Sequence, residues 1–232
     1  MENVLITGAN RGIGLELCRQ LLAQGDLVFA GCRRPLHASQ LQAIAAANPR
    51  LRIITLDVTN DEQVQDAAAI VAGHTDHLNL LINNAGIFPR GERLDGFDAA
   101  QMLRVFDVNV AGTMRVTSAF APLLRRGRNP RIVNISSQLG SLARMDGNWG
   151  DYSYNSSKAA LNMITRKMSH ELGKNGITAV AVHPGWVQTD MGGASATLTV
   201  PESARGILTV AAGLTAKQSG QFFTYAGKEH PW

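Results

Sequence analysis

The chain has 232 residues, of which 45% are hydrophobic and 17% charged, and a net charge of +4. These values describe one ordinary globular domain over residues 1–232 and exclude a disordered chain. So small a net charge does not indicate a nucleic-acid partner, and no apolar run approaches the roughly 18 residues that cross a membrane. We therefore expect neither nucleic acid nor a membrane among its partners.

The cysteines and the first residues bear on the cellular compartment. Cys18 and Cys32 are the two cysteines of the chain, too few for a secreted disulfide framework, and we expect two buried thiols. An apolar run begins at Val4, which leaves no room for a signal peptide in the sequence given. These observations predict a cytoplasmic protein.

Short apolar runs alternate with helical patterns along the whole chain. Nearly all-apolar runs are typical of parallel strands that are covered on both faces. The predicted strands are Val4–Ile6, Leu27–Gly31, Arg52–Asp57, Leu78–Asn83, Arg131–Ser136, Thr178–Pro184 and Gln221–Thr224. The helical stripes between them are Ile13, Leu17, Leu21 and Leu22; Met102, Phe106, Val110 and Met114; and Leu161, Ile164, Met168 and Leu172. This pattern predicts an α/β fold: a single Rossmann-type, doubly wound parallel sheet of about seven strands with helices on both faces.

A glycine-rich turn follows the first strand directly and opens a helix. Backbone N–H groups and the positive helix end in such a turn bind a pyrophosphate, and glycines let the backbone approach it closely. The spacing here is Gly-x-x-x-Gly-x-Gly, and since turns use glycine for many reasons, its place after a strand carries the prediction. The candidate cofactor-binding residues of this turn are Gly8, Asn10, Arg11, Gly12, Ile13 and Gly14.

The second strand is followed by Arg33 and Arg34. A site for NAD would usually carry an acidic residue here, bound to the ribose 2′-hydroxyl. Guanidinium groups instead suit a phosphate, so we predict NADP(H), with its 2′-phosphate on Arg33 or Arg34 together with Arg11. The alternative is that these arginines only aid solubility, and the sequence does not say which of the three contacts the phosphate.

Four further arginines precede the fifth predicted strand in a segment rich in glycine, asparagine and proline. They are Arg125, Arg126, Arg128 and Arg131. A nucleic-acid site would need more basic residues on one face, with aromatic residues between them. We therefore interpret this cluster as a solvated loop.

Tyr154 and Lys158 lie one helical turn apart, so a phenol and an ammonium can face one pocket. Carbonyl reduction needs a proton for the oxygen as well as a hydride for the carbon, and Tyr154 can supply that proton. A tyrosine has an ordinary pKa of about 10. We expect the Lys158 cation to lower the pKa of Tyr154 by favouring the phenolate.

Taken together, the motifs resemble those of the short-chain dehydrogenase/reductase family over essentially the whole chain. They occur in that family's order: Thr7-Gly-x-x-x-Gly-x-Gly14, Asn83-Asn84-Ala85-Gly86, Asn109, Ser137, Tyr154-x-x-x-Lys158 and Pro184-Gly185. The short length and the ending, Phe222–Gly227 with Pro231-Trp232, resemble C-factor-like and sniffer-like carbonyl reductases. The resemblance implies an NADPH-dependent oxidoreductase that transfers hydride to a ketone, aldehyde or quinone, with Tyr154 as general acid. The alternative is an NADP-binding regulatory or signalling protein whose turnover is incidental.

The resemblance also assigns the catalytic residues, which are Asn109, Ser137, Tyr154 and Lys158. It implies that Lys158 binds the nicotinamide ribose and that Asn109 holds a water linking Lys158 to solvent, although Asn109 can also be an ordinary polar helix residue. Ser137 would bind the substrate oxygen and stabilise its developing charge. Ser136 competes for that role, but Gln138-Leu139-Gly140 after Ser137 matches the family's Ser-x-x-Gly pattern.

Further cofactor contacts follow from the same resemblance. Asp57 and Val58 would contact the adenine, and the motif containing Asn84, Ala85 and Gly86 would support the sheet and let the ribose lie close. The nicotinamide would be contacted by Pro184, Gly185, Val187 and Thr189, besides Tyr154 and Lys158.

The interval between Ser137 and Tyr154 is a few residues longer than is common in the family. We expect the extra residues in segment 143–151 to border the substrate opening, and a substrate loop at about 185–201. Trp149, Trp186 and Met191 are candidate pocket walls or, equally, ordinary packing residues. No metal site is predicted. We expect a small-molecule carbonyl or alcohol substrate and a homodimer or homotetramer, since the helices of Asn109 and Tyr154 form subunit interfaces in many relatives.

Overall fold

Seven parallel strands form one sheet in the computed structural model, which describes residues 1–146 and 151–232. In chain order they are β1 (Asn3–Thr7), β2 (Leu27–Cys32), β3 (Leu51–Thr55), β4 (Leu80–Asn83), β5 (Arg131–Ile135), β6 (Thr178–His183) and β7 (Phe222–Thr224). Their order across the sheet is β3-β2-β1-β4-β5-β6-β7. The chain reverses its direction across the sheet between β1 and β4, the point at which ligands bind in such folds. The predicted Rossmann-type sheet is confirmed.

Helices cover both faces of this sheet. They are α1 (Gly12–Ala23), α2 (Ser39–Ala47), α3 (Asp61–Ala72), α4 (Ala99–Phe106), α5 (Gly112–Leu124), α6 (Tyr152–Leu172) and α7 (Val200–Gly213). Side chains alternate along a strand, so Val4 and Ile6 pack with α1, α2 and α7, whereas Leu5 packs with α3, α5 and α6. Burial on both faces explains why the central strands are mostly apolar, whereas β3, at the edge of the sheet, exposes Arg52 and Thr55.

The predicted stripe Met102, Phe106, Val110 and Met114 does not form the buried face of its helices. Between α4 and α5 the backbone makes a π-helical turn, Asp107–Ala111. Because this turn is wider than an α-helical one, it rotates the residues that follow relative to those before it. The buried apolar side chains are instead Val105, Val116 and Phe120, while Met114 is 45% exposed.

The arginine cluster is only partly a solvated loop. Arg125, Arg126 and Arg128 are exposed, but Arg131 is buried as the first residue of β5. Its guanidinium donates to the carbonyl oxygen of Ala211 (3.1 Å) and forms an ion pair with Glu2. The interpretation as a solvated loop was wrong for Arg131, because β5 begins at this residue and Glu2, near the start of the chain, supplies a carboxylate that pairs with it.

Both cysteines are buried and free, as predicted. Burial raises the pKa of Cys18 to about 12, so its thiol stays protonated at physiological pH. No helix within residues 1–146 and 151–232 has the length and apolar character needed to cross a membrane.

Candidate active site

The turn between β1 and α1 is shaped by contacts that admit only glycine. Gly8 and Gly12 have φ values of +64° and +52°, which L side chains rarely adopt. A Cβ at Gly14 would lie 2.4 Å from the carbonyl oxygen of Gly8. This close backbone path at a helix N-terminus fits the pyrophosphate cradle inferred from the sequence.

Asn84, directly after β4, braces this turn. Its side-chain amide donates to the carbonyl oxygens of Thr7 (2.9 Å) and Gly8 (3.1 Å). The Thr7 hydroxyl in turn accepts the backbone N–H groups of Asn84 and Ala85, both at 3.0 Å. A Cβ at Gly86 would lie 3.7 Å from Nζ of Lys158, so this motif lies between the glycine turn and α6.

The three candidate arginines separate into two groups. Arg33 and Arg34 are exposed directly after β2, beside the glycine turn, since the N–H of Ala9 donates to the carbonyl oxygen of Gly31 (3.0 Å). Arg11 instead forms an ion pair of 2.6 Å with Asp190, in the segment after β6. The geometry therefore favours Arg33 and Arg34 for the 2′-phosphate and gives Arg11 a different partner.

The predicted adenine contacts lie after β3. One carboxylate oxygen of Asp57 accepts hydrogen bonds from the N–H (3.0 Å) and hydroxyl (2.7 Å) of Thr59. Val58 is buried against Gly112, where a Cβ would lie 2.7 Å from the Val58 side chain. These contacts fix the loop after β3 at the same edge of the sheet as the glycine turn.

Tyr154 and Lys158 are buried on α6, and the Ser137 hydroxyl is close enough to the phenol of Tyr154 to lower its pKa. The Lys158 ammonium lies 5.6 Å from the centre of the Tyr154 ring and donates to the carbonyl oxygen of Ile135 (2.8 Å). The structure thus brings together the phenol, hydroxyl and ammonium that the sequence singled out from β5 and α6.

The pKa shifts of this group differ from our expectation. Burial raises the pKa of Tyr154 to about 12, an effect that the nearby Ser137 hydroxyl only reduces. Burial also lowers the pKa of Lys158 to about 8. The expected lowering of the Tyr154 pKa by Lys158 was wrong for the protein alone, because desolvation disfavours both charged forms.

The choice between Ser136 and Ser137 follows from their partners. The Ser136 hydroxyl is buried and donates to the side-chain oxygen of Asn162 at 2.6 Å. The Ser137 hydroxyl faces Tyr154 and also accepts the N–H of Leu139 (3.2 Å). The Ser136 hydroxyl is therefore occupied by its hydrogen bond to α6, whereas the Ser137 hydroxyl lies beside the phenol.

Asn109 lies in the π-helical turn and is buried. Its side-chain oxygen accepts the N–H of Ile87 (2.9 Å), and its amide donates to the carbonyl oxygen of Ile87 (3.0 Å) and to the Ser157 hydroxyl (3.0 Å). Asn109 thus joins the segment after β4 to α6. π-Helical turns often occur at functional sites, which favours the catalytic prediction over an ordinary helix residue.

A cavity of about 650 Å³ opens beside Tyr154. The predicted residues that line it are Ile13, Ser137, Tyr154, Pro184, Gly185, Trp186, Val187, Thr189 and Met191. Trp149 lies outside the described residues. Arg144, Met145, Asp146 and Asp151, from the segment 143–151 expected at the substrate opening, also line it. The sequence analysis missed Phe88, Arg90, Leu139 and His183 as lining residues. For Phe88 and Arg90 a signal was present, because they follow Asn-Asn-Ala-Gly at the carboxyl end of a strand.

The segment between β6 and α7 has no helix or extended strand, in agreement with a loop at about 185–201, although α7 begins at Val200. The indole N–H of Trp186 donates to the carbonyl oxygen of Gly192 (2.9 Å), and the hydroxyl of Thr189 accepts the N–H of Gly192 (3.0 Å). A Cβ at Gly12 would lie 3.3 Å from the methyl group of Thr189. The loop therefore lies against the glycine turn.

His183 is buried in the wall of the cavity, with its ring centre 6.0 Å from that of His230. Burial, His230 and Arg144 lower the pKa of His183 to about 4, so it is neutral at physiological pH. Within residues 1–146 and 151–232 there is no group of three or more His, Cys, Asp or Glu side chains that could hold a metal ion. The absence of a metal centre stays a prediction.

Replacing Lys158 with methionine is expected to stabilise the fold at pH 7 by about 1–3 kcal/mol. Burying the ammonium costs about 1.4 kcal/mol per pKa unit, or about 3.5 kcal/mol for the shift from 10.5 to about 8. Loss of the hydrogen bond to the carbonyl oxygen of Ile135 offsets about 0.5–3 kcal/mol of that gain. From pH 8 to about 10.5 the unfolded wild-type chain binds more protons than the folded one at this position, so wild-type stability rises with pH. Urea unfolding between pH 6 and 10.5 should show the variant's advantage shrinking over that window. An advantage independent of pH would contradict the assigned pKa.

Comparisons with known proteins identify the family to which the chain is similar. A sequence profile of short chain dehydrogenases matches residues 2–197. The protein C-signal of Myxococcus xanthus is 50% identical over 159 residues, which are 68% of this chain and 95% of that protein. The structure of an NADPH-bound carbonyl reductase from chicken fatty liver is 41% identical, with a TM-score of 0.95 over 100% of this chain and 99% of that chain. Carbonyl reductase Sniffer of D. melanogaster is 35% identical, with a TM-score of 0.96 over 100% of both chains.

Proposed function

The chain belongs to the short-chain dehydrogenase family, and we propose that it is an NADPH-dependent reductase of ketones, aldehydes or quinones. The observation that carries this proposal is a cavity lined by Ser137, by Tyr154 and by Ile13 of the glycine turn. The Lys158 ammonium lies 5.6 Å from the centre of the Tyr154 ring, on the same helix. A proton donor, a donor for the substrate oxygen and a cofactor cradle are the parts that hydride transfer to a carbonyl requires.

NADPH, when bound along the glycine turn, supplies the hydride. The Ser137 hydroxyl then holds the carbonyl oxygen and stabilises the negative charge that develops on it. Tyr154 donates its proton to that oxygen, since its pKa of about 12 keeps it protonated at neutral pH. The Lys158 cation favours the phenolate that remains. Asn109 anchors the water through which Lys158 exchanges protons with solvent.

The preference for NADP(H) over NAD(H) rests on the end of β2. No carboxylate follows this strand, and two exposed arginines do. Two of the structural relatives support the cofactor class, as one is a carbonyl reductase with NADPH bound and another is a Pseudomonas aeruginosa carbonyl reductase in complex with NADP. We propose that the remaining contacts follow the residues given above, with Pro184, Gly185, Val187 and Thr189 at the nicotinamide.

The test is a titration of the purified protein with NADPH and with NADH, followed by NADPH oxidation at 340 nm with aldehydes, ketones and quinones. We expect tight NADPH binding, weaker NADH binding and turnover of at least one carbonyl class. Binding of neither nucleotide would remove the basis for every catalytic role proposed here.

A signalling role with incidental turnover is the second candidate, and the 50% identity with the protein named C-signal favours it. The two functions differ in their need for Tyr154. A purely regulatory protein would keep its biological effect in a Tyr154→Phe strain, whereas an enzyme would lose it. The intact catalytic group supports the enzyme.

We propose that the protein is a cytoplasmic homodimer or homotetramer. Leu103 on α4, Met114 on α5 and Met163 on α6 are 70%, 45% and 68% exposed, and exposed apolar side chains of this size favour a subunit interface. Light scattering coupled to size-exclusion chromatography should return two or four times the chain mass of 24.9 kDa. A mass equal to that of one chain would reject the proposal.

A further inference from the structure

The segment from Ile87 to Glu92, after β4, is attached to the start of α6 by reciprocal hydrogen bonds. One carboxylate oxygen of Glu92 accepts the backbone N–H of Ser153 at 2.7 Å, and the other accepts the Ser153 hydroxyl. In the opposite direction, the Asp151 carboxylate accepts the N–H groups of Gly91 (3.1 Å) and Glu92 (2.9 Å). Two segments that are about 60 residues apart in the chain are thereby locked together.

This arrangement replaces the usual N-cap of α6. Asp151 occupies the N-cap position, but its side chain makes no hydrogen bond to the first turn of its own helix. Glu92 instead supplies the acceptor for the unpaired N–H of Ser153. A carboxylate at a helix N-terminus is also favoured by the helix dipole. Burial opposes ionisation of Glu92, but hydrogen bonds from Ser153 and Gln101 outweigh it and hold the pKa of Glu92 below its usual value.

The capped turn is the one that carries the phenol. Tyr154 is the residue after Ser153, and Ser153 is fully buried. The Phe88 ring, from the same segment as Glu92, stacks on the Tyr154 ring with centres 4.2 Å apart and an angle of 23°. Ile87 is in turn held by the two hydrogen bonds to Asn109. The Tyr154 ring is therefore fixed by its own helix turn and by a segment that Glu92 attaches to that turn.

We propose that Glu92 is a positioning residue for the reductase reaction: its carboxylate fixes the first turn of α6 and the Phe88 ring, and so holds the Tyr154 hydroxyl beside Ser137. Glu92 does not line the cavity, so it acts through Tyr154 and not on the substrate. This inference rests on the proposed function, since the position of Tyr154 matters only if Tyr154 donates the proton.

The test compares Glu92→Ala and Glu92→Gln with Glu202→Ala. Glu202 also places a carboxylate at a helix N-terminus: it belongs to the first turn of α7 and accepts the N–H of the N-cap residue Thr199 at 3.1 Å, and it does not line the cavity either. We expect Glu92→Ala to lower kcat by about 10- to 100-fold, as displacement of a reacting group by about 1 Å does, with the KM for NADPH changed less than about 2-fold. Glu92→Gln keeps an acceptor for Ser153 and should recover most of the loss. Glu202→Ala should keep kcat within about 2-fold of wild type.

Hydrogen exchange followed by mass spectrometry gives a readout that does not depend on activity. Glu92→Ala should speed exchange at residues 152–157 alone, and Glu202→Ala at the start of α7 alone. Equal kcat values for Glu92→Ala and Glu202→Ala would overturn the proposal, as would unchanged exchange at residues 152–157. Loss of protection throughout the chain in both Glu92 variants would assign a merely structural role and also overturn it. A wild-type protein that reduces no carbonyl would instead reject the proposed function, while the exchange data still test the attachment by Glu92.

Discussion

Tyr154→Phe is expected to lower kcat for NADPH-dependent carbonyl reduction by about 10³-fold, within the range that a general acid contributes. The substitution removes a single hydroxyl and keeps the ring that stacks on Phe88. The cofactor cradle lies on a different part of the fold, so the dissociation constant for NADPH should stay within about 3-fold of wild type. The expected result is a protein that binds cofactor normally and transfers hydride very slowly.

Removal of the Tyr154 hydroxyl leaves the Ser137 hydroxyl its hydrogen bond from the N–H of Leu139, and Ser137 lines the open cavity. The fold should therefore keep its stability, and the melting temperature is the second measurement, which checks this. Stopped-flow oxidation of NADPH at 340 nm measures the chemical step, and calorimetric titration measures the binding of the cofactor.

Tyr152→Phe is the matched control. Tyr152 lies on the same helix turn and is 53% exposed, and its ring contacts Phe97 edge to face. The same hydroxyl is deleted there without any change at the cavity, so kcat should be unchanged. If both variants keep wild-type kcat, Tyr154 is not the proton donor, and the signalling candidate becomes the better explanation of the fold.

The sheet could be predicted from the sequence because its central strands are buried on both faces, and such burial requires apolar runs. The residues at the cofactor edge of the sheet could also be predicted, since glycine turns and strand ends are recognised from short stretches of sequence. The stripe on α4 and α5 was misjudged because a π-helical turn changes the helical period, and no residue type signals that turn. The partner of Arg11 could not be foreseen, because Asp190 lies 179 residues further along the chain.

The pKa shifts of Tyr154 and Lys158 could not be predicted from the sequence either. Tyr-x-x-x-Lys predicts that a phenol and an ammonium share a pocket, but their pKa values depend on how completely the fold excludes water from both. The contacts of Glu92 and Phe88 with α6 could not be predicted for a related reason. Each contacts α6 across about 60 residues of chain, and a lone glutamate or phenylalanine in a loop carries no sign of such a contact. A sequence motif identifies the reacting side chains, but it does not identify the residues elsewhere in the chain that hold those side chains in position.

Arg33→Asp/Arg34→Asp is expected to reverse the cofactor preference, lowering kcat/KM with NADPH by about 10²-fold or more relative to kcat/KM with NADH. A hydrogen bond to a charged group contributes about 1.5–3 kcal/mol, and every 1.4 kcal/mol is a factor of ten. The aspartates add repulsion of the 2′-phosphate and offer the carboxylate that a free ribose 2′-hydroxyl prefers. Initial rates with both nucleotides, with a saturating carbonyl substrate, give the ratio directly.

Arg125→Asp/Arg128→Asp controls for the change in net charge. These exposed residues precede β5 and lie at the amino end of the parallel strands, opposite the cofactor edge. Their replacement should shift both kcat/KM values together and leave the ratio unchanged. A specific effect of Arg33 and Arg34 therefore cannot be confused with a general weakening of anion binding.

Arg11→Ala tests the remaining possibility, that Arg11 binds the 2′-phosphate. Because Arg11 is paired with Asp190, its loss should leave the ratio of NADPH to NADH activity within about 3-fold of wild type, as expected for an exposed ion pair of small energy. The opposite pattern, an unchanged ratio in the double variant and a collapsed ratio in Arg11→Ala, would transfer the 2′-phosphate to Arg11. The ion pair with Asp190 would then have to open whenever NADPH binds, and the loop after β6 would respond to the phosphate that distinguishes the two cofactors.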